Sequence, residues 1–219
     1  MTEVVPTILT SDFSQLNERL ELLKDVANRV QIDIIDGKFV ENKTVSIESL
    51  KELEIEPKLD LHLMVKEPKE WINRALEVLP DRLIGQVEIM SDAWSFINQT
   101  VEAGMEAGIA LDLETPVESI PEEIFHLAGT ILLLSVKAGL GGQRFDERVL
   151  LKIGKVKSIV GDFVEIGVDG GLQEKEILLC KRAGADIFYV GSGFWQPKDG
   201  LLKKEDIIKR FKDLTALIA

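Results

Sequence analysis

The stretch Val164-Glu165-Ile166-Gly167-Val168-Asp169-Gly170-Gly171 decides the fold. It begins as a short β-rich run and closes on an acid followed by two glycines. Strand alternation puts Val164, Ile166 and Val168 on one face and Gly167 and Asp169 on the other. A carboxylate at the end of such a strand costs several kcal/mol if it is buried without a partner, so it must bind something. The glycines allow a ligand to approach the backbone closely. The neighbouring runs end in the same way. Gly139-Leu140-Gly141-Gly142-Gln143 follows the run before, and Gly191-Ser192-Gly193 ends the run after. Three Gly-rich loops on consecutive late strands describe a phosphate cradle, which α/β barrels carry near strands seven and eight. Gly170, Gly171, Gly191 and Ser192 are the expected phosphate contacts.

Outward from this stretch, short β-rich runs alternate with longer helical ones. The expected strands are Val4–Leu9, Val30–Asp36, Lys58–Val65, Arg82–Ile89, Gly108–Leu113, Thr130–Val136, Val164–Asp169 and Ile187–Ser192. They start roughly every 22–34 residues, the spacing of a repeated strand–helix unit. Ser11-Asp12-Phe13-Ser14 opens one helix with capping residues, Glu67-Pro68-Lys69-Glu70 another, and Val117–Pro121 leads into a third. Ala183-Gly184-Ala185-Asp186 closes the seventh helix on a glycine. Eight alternations permit an open doubly wound sheet or a closed barrel. The strand ends favour the barrel, so the fold class is α/β, a single-domain (β/α)8 TIM barrel over residues 1–219.

Composition agrees. The 219 residues suit one barrel, and 45% apolar content is enough for a large core. The formal charge of −12 (26 basic against 38 acidic residues) repels nucleic acid and anionic membrane, so neither is an expected partner. A small phosphorylated metabolite held by backbone N–H groups remains compatible. Cys180 is the one cysteine, which points to a reducing compartment and a packed, inert thiol. Met1–Pro6 lacks the pattern of a signal peptide, and the expectation is a cytoplasmic protein.

Polar residues recur on one strand face: Gln31 and Asp33, then Asp60, His62 and Met64, then Gln86 and Glu88, then Asp169. All are expected near the C-terminal ends, where barrel enzymes keep their chemistry.

On these segments the chain resembles the ribulose-phosphate 3-epimerases. Pro6-Thr7-Ile8-Leu9-Thr10-Ser11-Asp12-Phe13 is similar to the family's P-S-I-L-S-A-D-F. Gln31–Asn42 is similar to H-x-D-x-M-D-G-x-F-V-P-N, and His62-Leu63-Met64 matches H-L-M. Ser135–Gln143 is similar to T-V-N-P-G-F-G-G-Q, and Val168–Gly171 matches V-D-G-G. The resemblance implies proton transfer at C3 of a ketopentose 5-phosphate, with Asp33 and Asp169 as the acid–base pair across the sugar. It implies Thr7, Met64, Gly141, Gly142, Gly170, Gly171, Gly191 and Ser192 around the phosphorylated ketose. It also implies a divalent metal (Zn, Mn, Fe, Co or Mg) held at Gln31, Asp33, His62 and Asp169, and barrels of this sort commonly form homo-oligomers.

The chain departs from the pattern in places. Gln31 stands where the family has a histidine ligand, and a carbonyl oxygen tilts a site from zinc toward Mn²⁺ or Mg²⁺, or toward no metal. Ile35 and Leu134 replace methionines, Lys137 replaces asparagine and Ala138 proline. Gln31 reads either as a ligand or as a satisfied buried amide, and Lys137 either as a substitute for the metal's charge or as an exposed loop lysine. His126 is expected on a helix surface, and Trp71, Trp94 and Trp195 in packing or interface roles. Lys203–Asp206 is expected to start a solvated helix. A sugar-phosphate binding protein with lost or altered catalysis is the alternative to an epimerase. Decarboxylases and aldolases with D-x-K-x-x-D on strand three are disfavoured, because that strand reads Asp60-Leu61-His62.

Overall fold

Hydrogen bonding from strand to strand closes into a ring. The computed structural model describes residues 2–195 and 202–219. The strands are β1 (Glu3–Ile8), β2 (Arg29–Ile35), β3 (Lys58–Met64), β4 (Arg82–Gln86), β5 (Glu106–Leu111), β6 (Thr130–Leu134), β7 (Glu165–Asp169) and β8 (Ile187–Val190). Each pairs in parallel with the next, and β8 returns to β1, with Glu3 opposite Ile187 and Pro6 opposite Val190. That last pairing excludes the open doubly wound sheet. The α-helices are α1 (Phe13–Leu23), α2 (Ile72–Ala75), α3 (Ala93–Glu102), α4 (Glu122–Leu127), α5 (Arg148–Val160), α6 (Glu174–Ala183) and α7 (Lys204–Ala216).

The local signals act as expected at several ends. The Asp12 carboxylate accepts from the N–H groups of Ser14 and Gln15 at 2.8 and 3.2 Å and starts α1. Gly184, at φ 110°, stops α6, and its N–H donates to the Cys180 carbonyl at 3.1 Å. Lys203 caps α7. His126 is exposed on α4, and Cys180 is buried, with burial pushing its thiol up to about 12. Two elements differ from the sequence reading. The β2–β3 crossover carries no α-helix, only a 3-10 segment, Ile47–Glu52, capped by Ser46. Pro68 likewise opens a 3-10 segment that continues into the single turn of α2.

Ring closure sorts the side chains into two cores. The outer one lies between strands and helices and includes Leu16, Leu20 and Leu23 of α1 and Val149, Ile153 and Val156 of α5. The inner one fills the barrel with Val5, Ile84, Leu132, Ile187 and Tyr189. Below it, toward the N-terminal strand ends, the interior is ionic. Arg82 reaches across the barrel to Glu165 at 2.7 Å and the Tyr189 hydroxyl at 3.1 Å. It also pairs with Glu106 at 2.8 Å and Asp60 at 3.3 Å. Asp60 further accepts from Tyr189 at 2.9 Å and from Arg29. Asp60 therefore does not sit at the C-terminal strand ends beside His62; it is two residues lower on the same face and belongs to this plug. Burial works against the Arg82 charge, but Tyr189, Asp60 and Glu106 more than offset it and hold its pKa above the ordinary value. For Asp60, burial outweighs Arg82 and Arg29 and raises the carboxyl pKa.

Removing one partner from such a cluster strands the others in a low-dielectric interior. Arg82→Met should lower unfolding free energy by about 3–5 kcal/mol in urea denaturation, because Asp60, Glu106 and Glu165 lose a shared counter-charge and Asp60 keeps its burial with Arg29 alone. A loss under about 1 kcal/mol would show that the plug does not support the barrel.

Candidate active site

A cavity of about 250 Å³ opens at the other end of the barrel, at the C-terminal strand ends. Its floor carries Asp33 from β2, His62 from β3 and Asp169, the last residue of β7. Asp33 and His62 are register partners, which sets them side by side, and His62 Nδ1 lies 3.1 Å from Asp33 Oδ1. Asp169 comes from three strands away around the ring. One ligand-capable atom from each of the three lies within 4.8 Å of those of the other two. Beneath them, Gln31 is fully buried and does not line the cavity. Its Nε2 donates to Asp169 Oδ2 at 2.8 Å and Asp33 Oδ1 at 3.1 Å, bracing the two carboxylates from below.

This crowding has an electrostatic consequence. Enclosure in protein pushes the Asp169 carboxyl up to about 7, and the Asp33 carboxylate adds to the rise. His62, the Gln31 amide and the Gly170 N–H oppose it without cancelling it. Two neighbouring carboxylates with one raised pKa are suited to hold one proton between them at neutral pH.

The residues present fit a divalent cation. His62 Nε2 and Gln31 Oε1 are buried with no hydrogen-bond partner among the described residues, and Asp33 and Asp169 bring two negative charges into reach of one point. A half-turn of the Gln31 amide brings its carbonyl oxygen to where Nε2 now stands. Gln31 then passes from brace to ligand without any backbone change.

The upper wall is the cradle. Gly141, Gly142, Gly170, Gly171, Gly191 and Ser192 all line the cavity, as do Thr7 and Met64. Gly171 has φ +60°, and a Cβ built there would lie 2.4 Å from the Phe145 backbone nitrogen. Only glycine lets the β6 and β7 loops pass so closely. Ser135 fixes the β7 loop, its N–H donating to the Asp169 carbonyl at 2.8 Å and its hydroxyl to the Gly170 carbonyl. Gln143 ties the β6 loop to itself through the Lys137 and Leu140 carbonyls, at 2.6 and 2.8 Å. After β8 the chain turns at once, with the Phe194 N–H on the Gly191 carbonyl at 2.9 Å.

Of the residues that the family resemblance implies for the site, all line this cavity except Gln31, which lies one layer below. Lys137 is exposed and stands at the cavity wall. Glu88 does not belong to the strand face. β4 stops at Gln86, the 3-10 turn Val87–Ile89 swings Glu88 outward, and it accepts from the Asp112 N–H at 2.7 Å. Gln86 is buried and outside the cavity lining. Trp195 and Arg19 were missed as wall residues. Trp195 follows directly on the third Gly-rich loop, a signal that could have placed it. Arg19 is one polar residue among several on α1, and nothing in its local sequence marks it.

Residues 3–195 match the sequence profile of the Ribulose-phosphate 3 epimerase family. A ribulose-phosphate 3-epimerase from Bacillus subtilis (strain 168) is 34% identical over 207 residues, covering 91% of this chain and 94% of that protein. Another from Rhodobacter capsulatus is 30% identical, with 89% and 86% covered. Among solved structures, a tryptophan synthase alpha-subunit from Pyrococcus furiosus superposes with a TM-score of 0.70 at 16% identity, over 98% of each chain. At that identity the likeness concerns the barrel alone.

The cradle's backbone can be tested without any ligand. Gly171→Ala should destabilise the protein by about 2 kcal/mol or more, combining left-handed strain with the contact to Phe145. Gly141→Ala should change stability by less than about 0.5 kcal/mol, since its Cβ would enter open space. Thermal melts of both variants decide; equal melting temperatures would refute the close-approach argument.

Proposed function

The chain belongs to the ribulose-phosphate 3-epimerase family, and from that membership we propose that it interconverts D-ribulose 5-phosphate and D-xylulose 5-phosphate, or a closely related ketose phosphate. The observation that carries this reading is the convergence of Asp33 and Asp169 on one cavity whose upper wall is a glycine cradle. A sugar held by its phosphate among Gly141, Gly142, Gly170, Gly171, Gly191 and Ser192 extends its carbonyl end toward the two carboxylates.

In this reading one aspartate, as carboxylate, removes the C3 proton and leaves an enediolate. The other, holding a proton, returns one to the opposite face of the same carbon. The raised pKa of Asp169 suits it to be the protonated partner at the start of one direction. On completion the roles are exchanged, as a reversible epimerisation requires. Gln31 keeps both carboxylates from turning away from the substrate. Thr7 and Met64 bound the space in which the sugar lies. A divalent ion at Asp33, His62, Asp169 and a turned Gln31 would supply a positive charge to stabilise the enediolate oxygens. The working partner is a small phosphorylated ketose and the proposed location is the cytoplasm. Among the described residues no helix is long and apolar enough to cross a membrane.

Incubating the protein with D-ribulose 5-phosphate in D₂O should wash deuterium into C3. Asp33→Asn and Asp169→Asn should each slow that exchange by about 10²–10⁴-fold, the usual contribution of a general acid or base. Calorimetric binding of the sugar phosphate with no exchange under Mn²⁺, Zn²⁺, Fe²⁺ or Co²⁺ would replace the epimerase by a binding protein on the same scaffold.

Position 31 should set the metal. Gln31→His should tighten zinc binding by about 10–100-fold in a chelator competition titration, because imidazole suits zinc better than an amide carbonyl. An unchanged zinc affinity would mean that residue 31 does not reach the ion.

A further inference from the structure

Arg19, on α1, lines the same cavity as Gly191, Ser192 and Gly193 and stacks on Trp195. We infer that Arg19 is a side-chain cation for the substrate's phosphate, added to the backbone cradle and held in place by stacking on Trp195. The inference rests on the sugar-phosphate reading above and names a specificity residue within it.

Three observations point this way. The first is mounting: the Arg19 guanidinium carbon lies 5.1 Å from the Trp195 ring centroid, within cation–π range. Trp195 is itself fixed, its Nε1–H donating to the Thr7 carbonyl at 2.7 Å. The platform is therefore tied to β1, next to the catalytic floor.

The second is the missing counter-charge. The chain has 38 acidic residues against 26 basic ones, and the arginines at the foot of the barrel are ion-paired, Arg29 with Asp60 and Glu3, Arg82 with Asp60, Glu106 and Glu165, while half-buried Arg210 donates to the Gly193 carbonyl at 2.6 Å. Among the described residues Arg19 has no carboxylate partner, and its Nε is buried without a hydrogen bond. Burial pushes its pKa below the ordinary guanidinium value, with only Glu18 pulling the other way. A partly desolvated cation with a free donor is left out of balance unless an anion arrives.

The third is geometry of supply. In the tight turn after β8 the Phe194 and Trp195 N–H groups donate to the Gly191 carbonyl, while those of Ser192 and Gly193 make no such bond among the described residues and suit a neutral anion site. Arg19 shares its wall and adds a planar fork of donors matched to phosphate oxygens. A chain of net charge −12 repels a sugar-phosphate dianion at a distance, and a guanidinium at the binding end offsets that repulsion locally. Stacking on Trp195 alone would account for the contact with the ring but not for a buried Nε–H left without an acceptor.

The test is calorimetric titration of inorganic phosphate into the parent protein, Arg19→Gln and Arg19→Lys. Phosphate should bind Arg19→Gln roughly 10–100-fold more weakly than the parent, the usual worth of a charge-assisted hydrogen bond, with Arg19→Lys in between. In turnover, KM for the ketose phosphate should rise with kcat nearly unchanged, as expected when binding energy common to ground and transition states is lost. A non-phosphorylated ketopentose should bind all three proteins equally, which a merely structural role for Arg19 would not produce. If Arg19→Gln fails to fold, the parent against Arg19→Lys carries the comparison. Equal phosphate affinity in parent and folded variants overturns the role of Arg19 while leaving the cradle and the deuterium exchange untouched. No phosphate binding by the parent overturns the cradle reading itself, and this inference with it.

Discussion

Closure of eight parallel strands forces every second side chain into one shared interior, and the rest of the structure depends on that constraint. An open sheet would present the same residues to helices or solvent. In the ring, Asp33, His62, Asp60, Arg82 and Asp169 have nowhere to go but toward each other. Polar groups so confined must be paired, because an unpaired charge in that medium costs several kcal/mol.

The two ends of the interior meet this requirement in opposite ways. At the N-terminal end Arg29 and Arg82 face Glu3, Asp60, Glu106 and Glu165, and each charge has an oppositely charged neighbour. That end is a structural plug. At the C-terminal end two carboxylates share one imidazole and one amide, and the balance is left incomplete. Among the described residues His62 Nε2, Gln31 Oε1 and the Thr7 hydroxyl have no partners. The raised Asp169 pKa has a separate cause, enclosure beside the Asp33 carboxylate, and both features agree with the ligand and ion proposed for this end. The apolar layer of Val5, Ile84, Leu132 and Ile187 fills the interior between the two clusters.

Gln31 shows how one substitution can alter a site without dismantling it. Its amide keeps the reach and the strand position of the residue it replaces in the family pattern, and its N–H groups hold both carboxylates. Turning the amide exchanges these two N–H donations for a carbonyl oxygen, so Gln31 acts as a brace in one orientation and as the proposed metal ligand in the other. In the proposed metal site, the oxygen donor in place of imidazole bears on the choice of metal.

The sequence by itself determined the strand–helix alternation, the caps at Asp12 and Gly184, the glycine cradle, and the aspartates and histidine at the strand ends. These are local properties: period two along a strand, a side chain that reaches its own backbone, a residue without a Cβ. The tertiary structure decided which end of the barrel each inward residue occupies. Asp60 and His62 share a face and are two residues apart, yet one joins the plug and the other the active site, because height in the barrel follows from the register of all eight strands. Glu88 left its expected face because β4 ended early in a 3-10 turn. Arg19 reached the cavity because α1 packs beside the β8 loop, a contact between residues far apart in sequence that no local pattern encodes.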